Sequence, residues 1–131
     1  LHLHGELLKV RSTGYPHIIY RWEKDLMIGD CCERGSQLRP HIVWFGEMVP
    51  NIPVAQELVS GADAIIIVGT SMQVYPAAGL VSYAPHRAPI FYVDPKPAKS
   101  YELDGIEEVF VIAENASTGV KKVVEVLPDV F

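Results

Sequence analysis

A histidine directly before a glycine, His4-Gly5, closes the alternating run LHLH at the start of this 131-residue chain. The alternation of Leu1 and Leu3 with His2 and His4 predicts a short strand that ends at Gly5 and leaves His4 at its rim. A histidine there could accept a proton near neutral pH, because its unperturbed pKa is about 6.5. The first ten residues alone favour the alternative, a surface histidine beside a turn glycine.

A second stretch that could do chemistry is GTSMQVYPAAG, residues 69–79, which lies between a predicted buried strand and a predicted helix. Open α/β folds bind nucleotides at such a point, at the carboxyl ends of their strands. Gly69 would let a ligand approach the backbone, and Thr70 and Ser71 would offer hydroxyls and amides near a helix start that favours anions. Asp94, at the end of the next strand, takes the position from which these folds bind ribose hydroxyls. Each feature by itself is also typical of an ordinary strand end.

The third stretch is LRPHIVWFGE, residues 38–47, where an aromatic pair precedes Gly-Glu. Exposed aromatic side chains are costly in a loop, so Trp44 and Phe45 could line an apolar tunnel for a ligand. The composition is equally compatible with both residues as part of a core.

The elements that would position these residues differ between two parts of the chain. Residues 6–40 are polar, aromatic and irregular, with a predicted hairpin of residues 7–11 and 18–20. From residue 41 onward the pattern is regular. IVWF favours a strand, and NIPVAQELV and PAAGLVSYA favour helices. AIIIVG, IFYVD and VFVI predict three buried strands of a parallel sheet, and AIIIVG is expected to be buried on both faces.

A last helix is predicted near Ser117, which can cap it. Four apolar residues at helical spacing form its buried stripe: Val120, Val123, Val124 and Leu127. This alternation predicts the α/β class, with a Rossmann-like open parallel sheet beside a small residual lobe. Three parallel strands are few for such a sheet, and the chain begins at Leu1 without a methionine, so we expect a piece of a longer protein.

Composition restricts the class of protein. The formal net charge of −5 argues against nucleic acid and anionic membranes as partners, because both bind clustered lysine and arginine. No apolar run approaches the roughly 20 residues of a membrane span, and no signal peptide is visible. Cys31 and Cys32 are adjacent, which disfavours a disulfide between them and supplies no four-ligand zinc set. We therefore expect a reduced, cytoplasmic protein.

Three motifs, taken in their order and spacing, resemble the sirtuin family of NAD-dependent protein lysine deacylases. They are HGELLKVR, LRPHIVWFGE and GTSMQVYPAAG. The resemblance is closest to bacterial and desuccinylase-like members, covers essentially the whole chain, and implies the carboxyl-terminal portion of such an enzyme. The resemblance divides the chain into three segments. Residues 1–11 hold a strand and the catalytic HG segment, which is His4-Gly5. Residues 12–37 form a residual small region like a zinc lobe, and residues 38–131 form the Rossmann-like portion that binds NAD and the peptide.

The resemblance also implies roles for individual residues. His4 would be the general base on a ribose hydroxyl of NAD, and the products would be nicotinamide, free lysine and 2′-O-acyl-ADP-ribose. Val43 would hold the substrate lysine through its backbone carbonyl, and Phe45 would pack on the acyl-lysine stem. The residues implied to pair with the peptide backbone are Gly46, Glu47, Val74 and Tyr75. The residues implied to contact NAD are Gly69, Thr70, Ser71, Asp94, Ala116 and Ser117.

Three departures from the family pattern limit this transfer. Ser12 stands where relatives have a cysteine and Cys31 breaks the usual cysteine spacing, so zinc is not expected. Asp94 stands where most relatives have asparagine, although a carboxylate also accepts hydrogen bonds from ribose. The family's pyrophosphate and nicotinamide contacts lie in an amino-terminal half that this chain lacks. We therefore expect the 131 residues alone to be inactive and to self-associate through an exposed sheet edge.

Two alternative functions remain open at this stage. One is a non-catalytic module that binds ADP-ribose or a peptide, and the other is an ADP-ribosyl transferase that uses the same cofactor chemistry with another acceptor. In similar family members, the residues that favour succinyl over acetyl groups lie in the amino-terminal half.

Overall fold

A computed structural model describes residues 1–129 and divides the chain into two compact units, Leu1–Asn51 and a second that begins at Ile52. Val130 and Phe131, the last residues of the predicted segment 38–131, lie outside the described residues. The three segments drawn from the sequence describe functional parts and stay a prediction. In the structure, residues 38–42 pair with the strand that follows the HG segment and belong to the first unit.

The first unit is built on a three-stranded antiparallel sheet. Its strands are β1 (Gly5–Ser12), β2 (Ile19–Arg21) and β3 (Leu38–Ile42), in the order β2-β1-β3. The pairing of β1 with β2 confirms the predicted hairpin.

Two sequence-based strand predictions in the first unit are wrong in position. Residues 1–4 form no strand, and β1 begins at Gly5, where a φ of +89° turns the chain. The strand predicted over IVWF is displaced toward the amino terminus, because β3 ends at Ile42. Pro40 lies within β3, which is possible since β3 is an edge strand and proline there need not donate to a neighbour.

Aromatic side chains pack around the buried centre of the first unit. Val10, Cys32 and Leu38 form its buried centre. The partly buried residues packed against this centre are Tyr15, Ile18, Tyr20, Trp22 and Leu26.

The residues at the family's zinc positions do not fit a zinc ion. Ser12 is buried, its hydroxyl lies 3.3 Å from the Cys32 Sγ, and it accepts a hydrogen bond from the Tyr15 backbone N–H at 3.1 Å. Within residues 1–129, no three histidine, cysteine or acidic side chains are grouped so that they could hold a metal. The amide of Gln37 joins the neighbouring loop instead: it donates to the carbonyls of Met27 and Asp30, each at 3.1 Å, and accepts from the Gly29 N–H at 2.8 Å.

This network predicts a zinc-free lobe. We expect metal analysis of the purified protein to find no stoichiometric zinc, and a chelator to leave its melting temperature unchanged. Gln37→Ala should lower the free energy of unfolding by about 1–3 kcal/mol, because it removes several hydrogen bonds at once. One equivalent of bound zinc, or a melting temperature that falls with chelator, would be inconsistent with this account.

The second unit contains a three-stranded parallel sheet and confirms the predicted Rossmann-like α/β architecture. Its strands are β4 (Ile65–Val68), β5 (Ile90–Val93) and β6 (Val109–Ile112), in the order β4-β5-β6. The helices are α1 (Ile52–Ser60), α2 (Ala116–Val126) and two 3₁₀ helices, Ala78–Tyr83 and Leu127–Asp129.

Burial in the second unit follows the position of each strand. All four residues of the central strand β5 are buried: Ile90 and Tyr92 pack with Val81 on one face, and Phe91 and Val93 pack with Val123 on the other. No helix among the described residues is long and apolar enough to cross a membrane.

Burial of β4 on both faces, the prediction for AIIIVG, is wrong. Ile66 and Val68 are 43% and 39% exposed, since β4 lies at the edge of the described sheet. Burial of β6 is wrong for the same reason, because Phe110 and Val111 are exposed.

The predicted helices also differ in detail from those in the structure. PAAGLVSYA contains a 3₁₀ helix rather than an α-helix. Helix α2 begins before Ser117, so its N-cap is Asn115, and Val124 is exposed rather than part of the buried stripe.

Candidate functional site: two groups of residues

The HG segment lies directly against the end of β3. A Cβ atom on Gly5 would lie 1.9 Å from the carbonyl oxygen of His41, so only glycine allows this approach. The Val43 N–H donates to the carbonyl of His4 at 3.0 Å. These backbone contacts join His4 to Val43, two residues for which the sequence predicts roles in the same reaction, and they leave the His4 side chain exposed.

His41 is a second histidine beside this segment, and it is partly buried. Its Nδ1 atom is buried and has no hydrogen-bond partner within residues 1–129. Burial lowers the pKa of His41, and the nearby Arg11 lowers it further, so the imidazole is neutral at pH 7. Of the two, His4 is the more exposed histidine.

Residues 44–47 form a tight turn that presents an aromatic side chain. The Glu47 N–H donates to the carbonyl of Trp44 at 3.0 Å, and Gly46 has a φ of +83°, as a type II turn requires at its third residue. Phe45, at the second position, is fully exposed, and Trp44 is about half exposed. The structure therefore excludes the core alternative for this pair within the described residues.

The carboxylate of Glu47 stabilises this turn through hydrogen bonds. It receives two hydrogen bonds from the Arg39 guanidinium, at 2.6 and 3.2 Å, and a third from the Trp44 backbone N–H at 3.0 Å. Arg11 adds a longer contact at 3.4 Å. The Arg39 guanidinium, followed by the Trp44 N–H, lowers the pKa of the Glu47 carboxyl. Sequence reasoning assigned Glu47 only a backbone role and missed both arginines.

Glu47→Gln should raise the KM for the acyl-lysine peptide that the sequence predicts as a substrate severalfold and change kcat little, because the turn predicted to pair with that peptide loses its charged anchor. The pKa of Glu47 is lower in the folded than in the unfolded chain. The ordering of the turn is therefore present above pH 4.5 and is lost as the pH falls through the folded pKa.

Steady-state kinetics of the full-length protein against peptide concentration measure this effect. Glu23→Gln, which removes another exposed partner of an arginine in the first unit, is the matched control and should leave the KM for the peptide unchanged. Equal peptide KM values for Glu47→Gln and the wild type would show that the ion pair does not order the turn.

The second group of candidate residues lies at the carboxyl ends of the parallel strands. Val68, Val93 and Ile112 are in register, so the three strands end at one edge of the sheet. Gly69, with a φ of +62°, follows β4 and donates its N–H to the carbonyl of Val93 at 3.0 Å. Asp94 follows β5.

The hydroxyl-bearing residues of this edge are open to solvent. Thr70 and Ser71 are exposed, and the Thr70 Oγ1 accepts a hydrogen bond from the Met72 N–H at 3.2 Å. Asp94 is half-buried, and its Oδ1 accepts from the Lys96 N–H at 2.7 Å, which leaves its second oxygen to accept from a ligand. Ala116 and Ser117 lie in the exposed first turn of α2, where backbone N–H groups lack helical partners.

Val74 and Tyr75, predicted to pair with the substrate peptide, are exposed before the first 3₁₀ helix. The Tyr75 hydroxyl donates to the Glu102 carboxylate at 2.8 Å, and this bond raises the pKa of Tyr75. The structure thus brings the predicted residues together in two groups. The first unit holds His4, Val43, Phe45, Gly46 and Glu47; the second holds Gly69, Thr70, Ser71, Val74, Tyr75, Asp94, Ala116 and Ser117.

A parallel sheet with glycine, hydroxyl and acidic residues at its carboxyl edge defines an α/β domain of the nucleotide-binding class. The sequence profile of the Sir2 family matches residues 1–76, and the chain belongs to that family. It is 56% identical over 101 residues to the NAD-dependent protein deacylase of Helicobacter pylori (strain ATCC 700392 / 26695), a match that covers 77% of this chain and 44% of the relative.

Two further comparisons agree with this family. The chain is 44% identical over 133 residues to the NAD-dependent protein deacylase of Bacteroides thetaiotaomicron, with coverage of 97% and 56%. A solved Sir2 homologue in complex with NAD superimposes with a TM-score of 0.77 at 32% identity, over 99% of this chain and 52% of that one. The chain spans about half the length of the curated relatives it matches.

Proposed function

We propose that this chain is the part of an NAD-dependent protein lysine deacylase that carries the catalytic histidine and the adenosine-binding edge. The reaction removes an acyl group from a lysine side chain and yields nicotinamide and 2′-O-acyl-ADP-ribose. The observation that supports the proposal is the hydrogen bond from the Val43 N–H to the His4 carbonyl, which joins an exposed histidine to the residue directly before the turn formed by residues 44–47.

The first unit supplies the groups that act on the acyl-lysine. The exposed imidazole of His4 accepts a proton from a ribose hydroxyl. The backbone carbonyl of Val43 orients the lysine nitrogen, and the exposed ring of Phe45 covers the acyl-lysine stem. The backbones of Gly46 and Glu47 pair with the extended peptide, as do those of Val74 and Tyr75 in the second unit, a mode of binding with little sequence preference.

The second unit fits the adenosine end of NAD, which when bound would supply the ribose that loses nicotinamide and accepts the acyl group on its 2′ oxygen. Gly69 has no side chain to obstruct a ligand, and a Cβ atom there would meet nothing within 4 Å. Thr70, Ser71 and the second oxygen of Asp94 are available to ribose hydroxyls. The first turn of α2, with Ala116 and Ser117, lies at the same edge for the adenine.

We also propose that the 131 residues alone self-associate and do not catalyse deacylation. The edge strands β4 and β6 expose Ile66, Val68, Phe110 and Val111, an apolar surface that favours association. The relatives' further half is needed to hold NAD in the reactive geometry. The free thiols of Cys31 and Cys32 support a reducing, cytoplasmic location.

Nicotinamide release is the assay for this function. The full-length protein should release nicotinamide from NAD when an acyl-lysine peptide is present, and much more slowly with the same peptide carrying unmodified lysine. The 131-residue chain alone should release none. Release that does not depend on the acyl group would contradict deacylation.

A further inference from the structure

Tyr92 is a tyrosine in the middle of the central, fully buried strand β5. It is only 1% exposed, and its ring packs in the cluster with Met72, Val81 and Ile90. Its hydroxyl reaches the carboxyl edge of the sheet, where it donates to the carbonyl of Thr70 at 2.8 Å and accepts from the Ala98 N–H at 3.2 Å.

Both partners of this hydroxyl are backbone groups of loops at the proposed adenosine edge. Thr70 belongs to the loop of residues 69–72, which follows β4. Ala98 belongs to the loop that follows β5 and begins at Asp94. One hydroxyl therefore joins the two loops that carry the candidate ribose contacts. A buried tyrosine hydroxyl normally has a partner, but phenylalanine would fill the same core without one.

The loop of residues 69–72 has few other fixed points. Gly69, Thr70 and Ser71 are exposed, whereas Met72 is buried and adopts a left-handed φ of +55°. The Gly69 N–H bond to Val93 fixes the start of the loop, and the buried Met72 side chain fixes its end. Between these two points, the hydrogen bond from the Tyr92 hydroxyl holds the Thr70 carbonyl.

We propose that Tyr92 is a positioning residue for the adenosine end of NAD, because its hydroxyl sets the distance between the loop of residues 69–72 and the loop after Asp94. This inference rests on the proposed function. It adds a residue with no proposed ligand contact of its own, for which the sequence predicted only a place in a buried strand.

Tyr92→Phe in the full-length protein tests this role. The ring stays and the core keeps its volume, but the Thr70 carbonyl and the Ala98 N–H lose their shared partner. We expect the Kd for ADP-ribose, measured by titration calorimetry, to rise about 5- to 30-fold. Hydrogen exchange at the Ala98 amide should be faster. The kcat at saturating NAD and the KM for the acyl-lysine peptide should stay within about twofold of the wild type, since the variant loses binding energy that the ground state and the transition state share.

Tyr101→Phe, at an exposed tyrosine of the same unit, is the matched control and should bind ADP-ribose as the wild type does.

The possible results separate the role of Tyr92 from the deacylase activity. An unchanged Kd in Tyr92→Phe, or parallel losses of ADP-ribose affinity, peptide affinity and melting temperature, would overturn the positioning role. A wild type that binds ADP-ribose but releases no nicotinamide would refute the deacylase, while the Kd of Tyr92→Phe would still decide the positioning role. A wild type that does not bind ADP-ribose would overturn both.

Discussion

His4→Ala in the full-length protein is expected to lower the rate of acyl-peptide-dependent nicotinamide release by about 10²- to 10⁴-fold, because it removes the proposed general base. The fold should be unaffected. The His4 side chain is exposed, and the bend is held by the His4 carbonyl and by Gly5, which the substitution leaves in place. Nicotinamide release at saturating NAD and peptide, together with a thermal melt, measures both effects.

His2→Ala is the matched control for this variant. His2 is an exposed histidine two residues away. Its backbone carbonyl accepts from the Asn51 amide at 2.9 Å, and its exposed Nε2 lies 3.7 Å from the Glu6 carboxylate. The control should retain wild-type activity. If His4→Ala also kept activity within a fewfold of the wild type, His4 would have no part in the chemistry.

Gly5→Ala is expected to lower the free energy of unfolding by about 3–5 kcal/mol, which is at the upper end for a single substitution. The new Cβ would lie 1.9 Å from the His41 carbonyl oxygen and 2.8 Å from its carbon, so the backbone must separate. The φ of +89° adds strain that any L side chain meets. Denaturant unfolding of the wild type and the variant gives the difference.

Gly35→Ala separates the two causes. Gly35 also has a positive φ, +76°, but a Cβ atom there would meet nothing within 4 Å. Its substitution should therefore cost only the backbone strain, about 1–2 kcal/mol. Equal losses for Gly5→Ala and Gly35→Ala would mean that the close approach of the HG segment to β3 does not exist in solution.

Much of the secondary structure could be predicted from the sequence, because turns, strands and helices depend largely on the chemistry of neighbouring residues. Periodicity and turn residues predicted the hairpin of β1 and β2 and the helix that begins after Asn51. They also predicted the parallel strands β4, β5 and β6. The burial of a strand depends on its neighbours in the sheet. Ile66 and Phe110 belong to apolar runs as continuous as that of β5, but they lie on edge strands and are exposed.

The sequence indicated candidate residues where a local motif suggests chemistry, as at His4-Gly5 and at residues 69–71. The supporting contacts were not, because they join residues distant in sequence. Arg11 lies 36 positions from Glu47, and Tyr92 lies 22 positions from Thr70. One signal could have found Tyr92: a tyrosine in a central strand otherwise made of apolar residues must lead its hydroxyl to a polar partner.

The nucleotide product of the full-length protein tests the central claim most directly. The protein is incubated with NAD and a lysine peptide that carries an isotopically labelled acetyl or succinyl group, and the products are identified by mass spectrometry. We expect ADP-ribose that carries the labelled acyl group, in an amount equal to the nicotinamide released, together with free lysine in the peptide. ADP-ribose attached to a protein would instead indicate a transferase. The absence of any nicotinamide release would leave only a binding module and would contradict the deacylase.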